Sequence, residues 1–171
     1  MRSIWTAVLV MTLFSPAALA QSPTKVSLND LRAWQGTWVL DVARSGLTEA
    51  DAERRAVTFG PAWVRIDVHR GEKSQPIALI YNLDGSPNVN PFGEGAAVTK
   101  LTRDGDYVVL ETVFSVNTQA VTLHERVPLV PGLDLPIDAT LRVEHGYQGV
   151  APAGDRTPPN VSNIKKIFRK Q

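Results

Sequence analysis

Few side chains in this sequence have the chemistry to react with a substrate or to bind a metal ion. Histidines stand at positions 69, 124 and 145, and there is no cysteine. No two histidines are separated by two or four residues, so neither a strand nor a helix presents a local pair to a metal. The lack of cysteine removes thiolate ligands, thiol nucleophiles and disulfides. The sequence therefore predicts neither a metal site nor a cofactor.

Two titratable residues lie in rows that are otherwise apolar. Glu125 shares the strand phase of Leu123 and Val127, and His145 shares that of Val143. A titratable group in such a row lies at the rim of the fold or points into a pocket with a shifted pKa. If the two strands pair, Glu125 and His145 would meet near one end and act as acid and base. An isomerase or hydrolase is therefore one alternative, although no Gly-x-Ser-x-Gly elbow supports an enzyme.

Two tyrosines complete the set of candidate ligand-binding residues. Tyr81 and Tyr107 lie on the apolar phases of their strands. An aromatic ring with a polar tip suits the wall of a ligand cavity. The other interpretation is a core tyrosine whose hydroxyl bonds to the backbone. The candidate binding set is thus Tyr81, Tyr107, Glu125 and His145.

A short helix and a long series of strand patterns must position these side chains. Ser27 and Asp30 have the spacing of a capping box, and Gly36 ends the helix that they begin. Beyond Gly36 the apolar period changes from 3.6 to 2, and about nine strand patterns follow at roughly 8–12 residue spacing. The pattern predicts an all-β fold, an antiparallel up-and-down meander barrel with a short N-terminal helix, in one domain over residues 21–171.

Several segments of this barrel have specific predictions. Asp84-Gly85 and Asp104-Gly105 are hairpin signals. Residues 87–95 are predicted to be a loop because asparagine and proline interrupt them. Residues 43–56 are charged and lack strand alternation, although Thr48-Glu49-Ala50-Asp51 could cap one or two helical turns. The basic segment 164–170 fits either a surface helix or a last strand. We favour the strand, since a barrel needs a partner to close.

The first twenty residues resemble an export signal. Arg2 precedes an apolar run over residues 4–14, and Ala18-Leu19-Ala20 forms a cleavage site. The run is short for a bilayer span of about 20 residues. We therefore expect a periplasmic or secreted protein, from a Gram-negative bacterium, with no stable membrane insertion after cleavage.

Cleavage also removes the charge imbalance. Without Arg2 the chain has 17 basic and 17 acidic residues. Nucleic-acid-binding proteins carry a clustered basic excess, and binding to anionic membranes needs one too. The composition therefore argues against both partners, and we expect a monomer whose partner is a small molecule.

The helix, the strand start Gly36-Thr37-Trp38 and the meander of hairpins resemble the lipocalins and the wider calycin group. Together with Ser45 and Tyr81-Asn82-Leu83-Asp84-Gly85, they look like a group of small exported bacterial lipocalin-like proteins. The resemblance implies that Trp38 plugs the closed end of the barrel. It also implies that a basic side chain near the last strand, Arg169 or Lys166, packs across the indole.

These features predict a barrel that binds a small apolar or amphipathic molecule by non-covalent burial, at the end away from Trp38. A barrel of this size can also be filled completely by its own side chains. A structural or interaction module with a solid interior is therefore the other alternative to a binding protein. A cavity above about 300 Å³ distinguishes the two.

Overall fold

The computed structural model describes residues 25–71, 75–117, 119–144 and 158–171. Within these ranges the chain forms ten antiparallel strands in a single sheet, in the spatial order β4-β3-β2-β1-β10-β9-β8-β7-β6-β5. The strands are β1 (Gly36–Leu40), β2 (Glu53–Phe59), β3 (Trp63–Arg70), β4 (Ile77–Asn82), β5 (Asn88–Phe92), β6 (Gly95–Asp104), β7 (Tyr107–Val116), β8 (Gln119–Pro128), β9 (Asp134–Glu144) and β10 (Asn160–Lys170). The predicted all-β meander barrel is confirmed, with ten strands instead of about nine.

The N-terminal helix closes one end of the barrel. Helix α1 (Leu28–Leu31) begins with the predicted capping box: Asp30 N donates to Ser27 Oγ at 3.2 Å, and Ser27 N donates to Asp30 Oδ2 at 3.0 Å. A 3-10 turn follows, and the helical segment ends at Gly36, whose φ of +119° favours glycine. Leu31 and Trp34 are buried against the barrel. None of the helices in the described residues is long and apolar enough to cross a bilayer.

Trp38 lies at this closed end and is fully buried. Its indole Nε1 donates to Trp34 O at 2.7 Å, and Trp34 Nε1 donates to Pro128 O at 2.9 Å. The cation over the Trp38 ring is Lys170, whose Nζ lies 5.3 Å from the ring centre. The expectation that Arg169 or Lys166 takes this place is corrected here.

The register of β1 and β10 explains the correction. Trp38 is directly opposite Lys170, and Val39 is opposite Arg169. Directly opposite residues share one face of a sheet, so Arg169 lies on the other face from the indole. There it forms an ion pair with Asp41. The prediction that segment 164–170 is a strand rather than a surface helix is confirmed.

The seam of the barrel lies between β4 and β5, which have no backbone ladder between them. Side chains bridge it instead. Asn90 Oδ1 accepts from Ile80 N at 2.9 Å, and Asn90 Nδ2 donates to Ile80 O at 3.3 Å and to Thr99 Oγ1 at 2.9 Å. The carboxamide of Asn90 thus takes the place that a backbone peptide has in a ladder, and the barrel is nearly closed.

Strand β5 corrects two expectations. Residues 87–95 are not a loop, because Asn88–Phe92 pair with β6. Pro91 is tolerated because β5 is an edge strand, where a missing N–H breaks no ladder. Asp84-Gly85 forms a turn, with Gly85 at φ +81°, but the strands on either side of it do not pair as a hairpin.

Two strands begin earlier than their sequence patterns indicate. β2 begins at Glu53 rather than Ala56, and β9 begins at Asp134 rather than Ala139. The predicted hairpin at Asp104-Gly105 is present between β6 and β7. The early start of β2 brings three charged residues into the sheet, and two of them, Glu53 and Arg55, are buried in the interior.

Candidate functional site

The barrel encloses a cavity of about 540 Å³. Neither Trp34 nor Trp38 lines it, so it lies away from the plugged end. The walls are mostly apolar and come from strands on opposite sides of the barrel; they include Ile66, Val68, Leu79, Phe114, Leu123 and Ile164. A cavity of this size falls within the usual range of ligand sites, roughly 300–1,000 Å³. A completely filled interior is therefore ruled out.

Four charged side chains lie together in the interior, and we call them the charged quartet: Glu53, Arg55, Glu125 and Lys166. All four are buried, with 3–7% of each residue exposed, and all four line the cavity. Buried charges are rare in proteins unless they are paired. The four side chains are therefore expected to form ion pairs with one another.

Arg55 is the centre of the charged quartet. Its Nε donates to Glu53 Oε1 at 2.5 Å, and its Nη1 and Nη2 donate to the two oxygens of Glu125 at 3.0 and 2.6 Å. Lys166 Nζ donates to Glu53 Oε2 at 2.9 Å and lies 3.9 Å from Glu125 Oε1. The guanidinium of Arg55 also stacks over the Phe168 ring, with Cζ 4.9 Å from its centre.

Closure of the sheet brings these residues together. Glu53 and Arg55 lie two residues apart on β2, so both point inward. Lys166 is on β10, and Glu125 is on β8, on the far side of β1, β10 and β9 in the strand order. The contact between Arg55 and Glu125 thus crosses the interior and exists only once the barrel has formed.

The local electrostatics favour the ionised forms of Glu53 and Arg55. Burial alone would raise the pKa of Glu53, but the positive charges of Arg55 and Lys166 outweigh it and lower the pKa to about 2. Burial alone would lower the pKa of Arg55, but Glu125 and Glu53 raise it above the ordinary value of arginine. Two carboxylates and two cations therefore balance each other in a desolvated interior.

A pair of hydroxyls adds uncharged polarity to the same cavity. The Tyr81 hydroxyl and Thr112 Oγ1 lie 2.8 Å apart, and both residues are buried. Burial, together with the negative charge of Glu125, raises the pKa of Tyr81. The phenol therefore stays protonated and remains a hydrogen-bond donor at neutral pH.

Of the four candidate binding residues, two line the cavity: Tyr81 and Glu125. Tyr107 is not among the lining residues, because Val108 and Leu110 occupy the inward phase of β7. Its ring is covered by Arg126, whose Cζ lies 3.5 Å from the ring centre. His145 lies outside the described residues, and its meeting with Glu125 stays a prediction.

Sequence reasoning missed three members of the charged quartet. Glu53 and Arg55 fall in a charged segment that shows no clear strand alternation, and Lys166 was considered only as a partner for Trp38. A signal was present, because Glu53 and Arg55 alternate with Val57 in one strand phase. The same pattern, a charge that continues an apolar row, had pointed to Glu125. In the described part of the chain, no cluster of three potential metal ligands occurs.

Comparison with known proteins gives a fold. No protein-family model matches the sequence, and no curated protein matches it either. Among solved structures, a secretory abundant heat soluble protein from Ramazzottius varieornatus superposes with a TM-score of 0.53 at 14% identity, over 81% of this chain and 96% of that one. Apo lipid binding protein 8 from Caenorhabditis elegans superposes with a TM-score of 0.50 at 8% identity, over 85% and 99%. The chain therefore has a calycin-like barrel fold.

Proposed function

We propose that this protein binds a small amphipathic molecule inside its barrel. The observation that carries the proposal is the cavity of about 540 Å³, which combines apolar walls with a polar region. This region consists of the charged quartet, Tyr81 and Thr112, and we call it the floor of the cavity. Apolar walls favour a hydrocarbon segment by about 25 cal/mol per Å² buried, and a few polar groups then orient the ligand. One protein of the same fold, from Caenorhabditis elegans, is a lipid binding protein by name.

The contacts of Glu125 favour binding over the acid–base alternative. Both of its carboxylate oxygens accept hydrogen bonds from Arg55. A carboxylate that is held in two charge-assisted bonds is a poor general base, because taking up a proton would break a buried ion pair. Glu125 therefore fits the floor of a binding site better than the proton carrier of an isomerase or hydrolase.

The binding proposal is tested by filling the cavity. The neutral fluorophore N-phenyl-1-naphthylamine, which brightens in apolar surroundings, reports occupancy by titration. Ala139 is buried and lines the cavity. Ala139→Phe should place a ring inside the cavity and weaken probe binding at least about tenfold, the equivalent of 1.4 kcal/mol.

Ala120→Phe is the matched control, since Ala120 is exposed on β8 and lies outside the cavity lining. It should leave the probe affinity unchanged. Failure of the unmodified protein to bind any apolar probe would contradict the proposal. Equal affinity in both folded variants would show that the probe binds elsewhere.

We further propose that the mature protein begins at Gln21 and acts outside the cytoplasm as a monomer. The residue pattern of the export signal supports this proposal. Expression of the full sequence in a Gram-negative host, followed by fractionation and mass measurement, tests it. The expected result is a periplasmic or secreted monomer that lacks residues 1–20. An uncleaved cytoplasmic protein would contradict it.

A further inference from the structure

The charges that face the cavity cancel. Among the described residues that line it, three are acids and three are bases: Asp51, Glu53, Glu125, Arg55, Arg70 and Lys166. In the interior the cancellation is direct, because each of the three nitrogens of Arg55 donates to a carboxylate. Arg70 is more exposed, and its Nε forms an ion pair with Glu53 Oε2 at 3.5 Å. The described side chains that line the cavity therefore have no net charge.

Hydrogen-bonding capacity nevertheless remains on this floor. Lys166 Nζ carries three protons, and the described residues supply one hydrogen-bond acceptor for them, Glu53 Oε2. Tyr81 and Thr112 share one hydrogen bond between two hydroxyls, which leaves one hydroxyl proton to donate. The cavity can thus hold a polar group by hydrogen bonds without needing an opposite charge from it.

We propose that the ligand carries an electrically neutral polar group, an alcohol, an ester or an amide, rather than a carboxylate or an amine. This inference rests on the proposed function and specifies the ligand class of the same site. A carboxylate would enter beside Glu53 and Glu125, and an amine beside Arg55 and Lys166. Either ion would leave one uncompensated charge in a desolvated interior, which is strongly unfavourable.

A matched series of twelve-carbon ligands tests the inference. Dodecanol, dodecanoate and dodecylamine are compared by displacement of N-phenyl-1-naphthylamine at pH 8, where the acid and the amine are both ionised. Dodecanol should bind at least about tenfold more tightly than either ion. Equal or tighter binding of dodecanoate or dodecylamine would overturn the inference and leave the binding proposal intact. Binding of none of them, and none of the fluorophore, would contradict the binding proposal itself.

Removing one charge from the floor should change the preference of the cavity for a neutral ligand over an ionised one. Glu125→Gln removes a negative charge and leaves the floor with one excess cation, so the affinity for dodecanoate relative to dodecanol should rise at least about tenfold. Glu53→Gln makes the same change and serves as a second variant. Glu111→Gln on the outer face of β7, where Glu111 contacts His124, is the control and should leave the ratio unchanged. An unchanged ratio in a folded Glu125→Gln or Glu53→Gln protein would overturn the inference.

Discussion

Replacement of Arg55 by methionine measures what the charged quartet contributes to stability. Methionine keeps much of the volume of the side chain but removes the guanidinium, and with it three hydrogen bonds to Glu53 and Glu125. Glu53 would keep Lys166 at 2.9 Å, whereas Glu125 would keep, among the described residues, an ion pair with the same Lys166 at 3.9 Å. One buried carboxylate is then left almost without a partner.

The expected loss follows from that orphaned carboxylate. Removing one partner of a buried ion pair typically destabilises a protein by about 3–5 kcal/mol. Arg55→Met should therefore lower the free energy of unfolding by about 3–5 kcal/mol at pH 7, measured by urea denaturation with tryptophan fluorescence.

A double variant separates the orphaned charge from a mere change of packing. Arg55→Met with Glu125→Leu removes both partners and leaves Glu53 and Lys166 as a neutral pair. This protein should recover most of the loss, because replacing both partners by apolar groups is nearly neutral. A single variant within about 1 kcal/mol of the unmodified protein would refute the burial of these charges. A double variant as unstable as the single one would refute the orphaned carboxylate as the cause.

Two further predictions concern the seam and the acid stability of the barrel. Asn90→Leu leaves the Ile80 N–H without its acceptor and should lower the free energy of unfolding by about 1–3 kcal/mol. Asn88→Ala removes a donor that Ile80 O and Asn90 Oδ1 share with other donors, and should cost under about 1 kcal/mol. Similar losses in the two variants would contradict the bridging role of Asn90. Because the pKa of Glu53 is lowered to about 2 from 4.5, its stabilising effect is present above pH 4.5 and is lost as the pH falls toward 2. Between pH 7 and pH 3, the loss of unfolding free energy measured by urea denaturation should be about 2 kcal/mol smaller in Glu53→Gln than in the unmodified protein, because at pH 3 the native carboxylate is still mostly ionised and the unfolded one is protonated. Equal losses in the two proteins would contradict this assignment.

The parts of the fold that local chemistry dictates were predictable from the sequence. The capping box of Ser27 and Asp30 and the stop at Gly36 each depend on a few neighbouring residues. The alternation of Val64, Ile66 and Val68 indicates one apolar face of β3, and all three are buried. In such segments the local pattern and the tertiary structure agree.

Strand β5 was not predictable in this way, because its residue types are those of a loop. Asn88, Asn90 and Pro91 are all poor strand formers. Asn90 belongs there because the seam needs a side chain with both a donor and an acceptor. Pro91 is tolerated because β5 is an edge strand that pairs only with β6. Both reasons arise from the closure of the barrel, which no local window contains.

The site was predictable only residue by residue. The phase of Glu125 pointed to an interior charge, and the phase of Tyr81 pointed to the cavity wall, but the same argument placed Tyr107 inside. Arg55 and Glu125 are 70 residues apart and lie on strands that do not pair. A contact across the barrel depends on the diameter and register of the whole sheet. The sequence therefore indicates Glu125 as an interior charge but does not indicate that Arg55 is its partner.

The pairing of β1 with β10 has a consequence for how this protein reaches its native state. These strands lie at the centre of the sheet, yet their ladder joins Trp38 to Lys170 and closes a loop on the order of 130 residues. The hairpins on either side form from local contacts, whereas this ladder must wait for nearly the whole described chain. The cavity takes its walls from both sides of that ladder, since Ile66 is on β3 and Leu123 is on β8. A ligand that binds only the completed barrel would therefore stabilise the native state relative to chains in which this ladder has not formed.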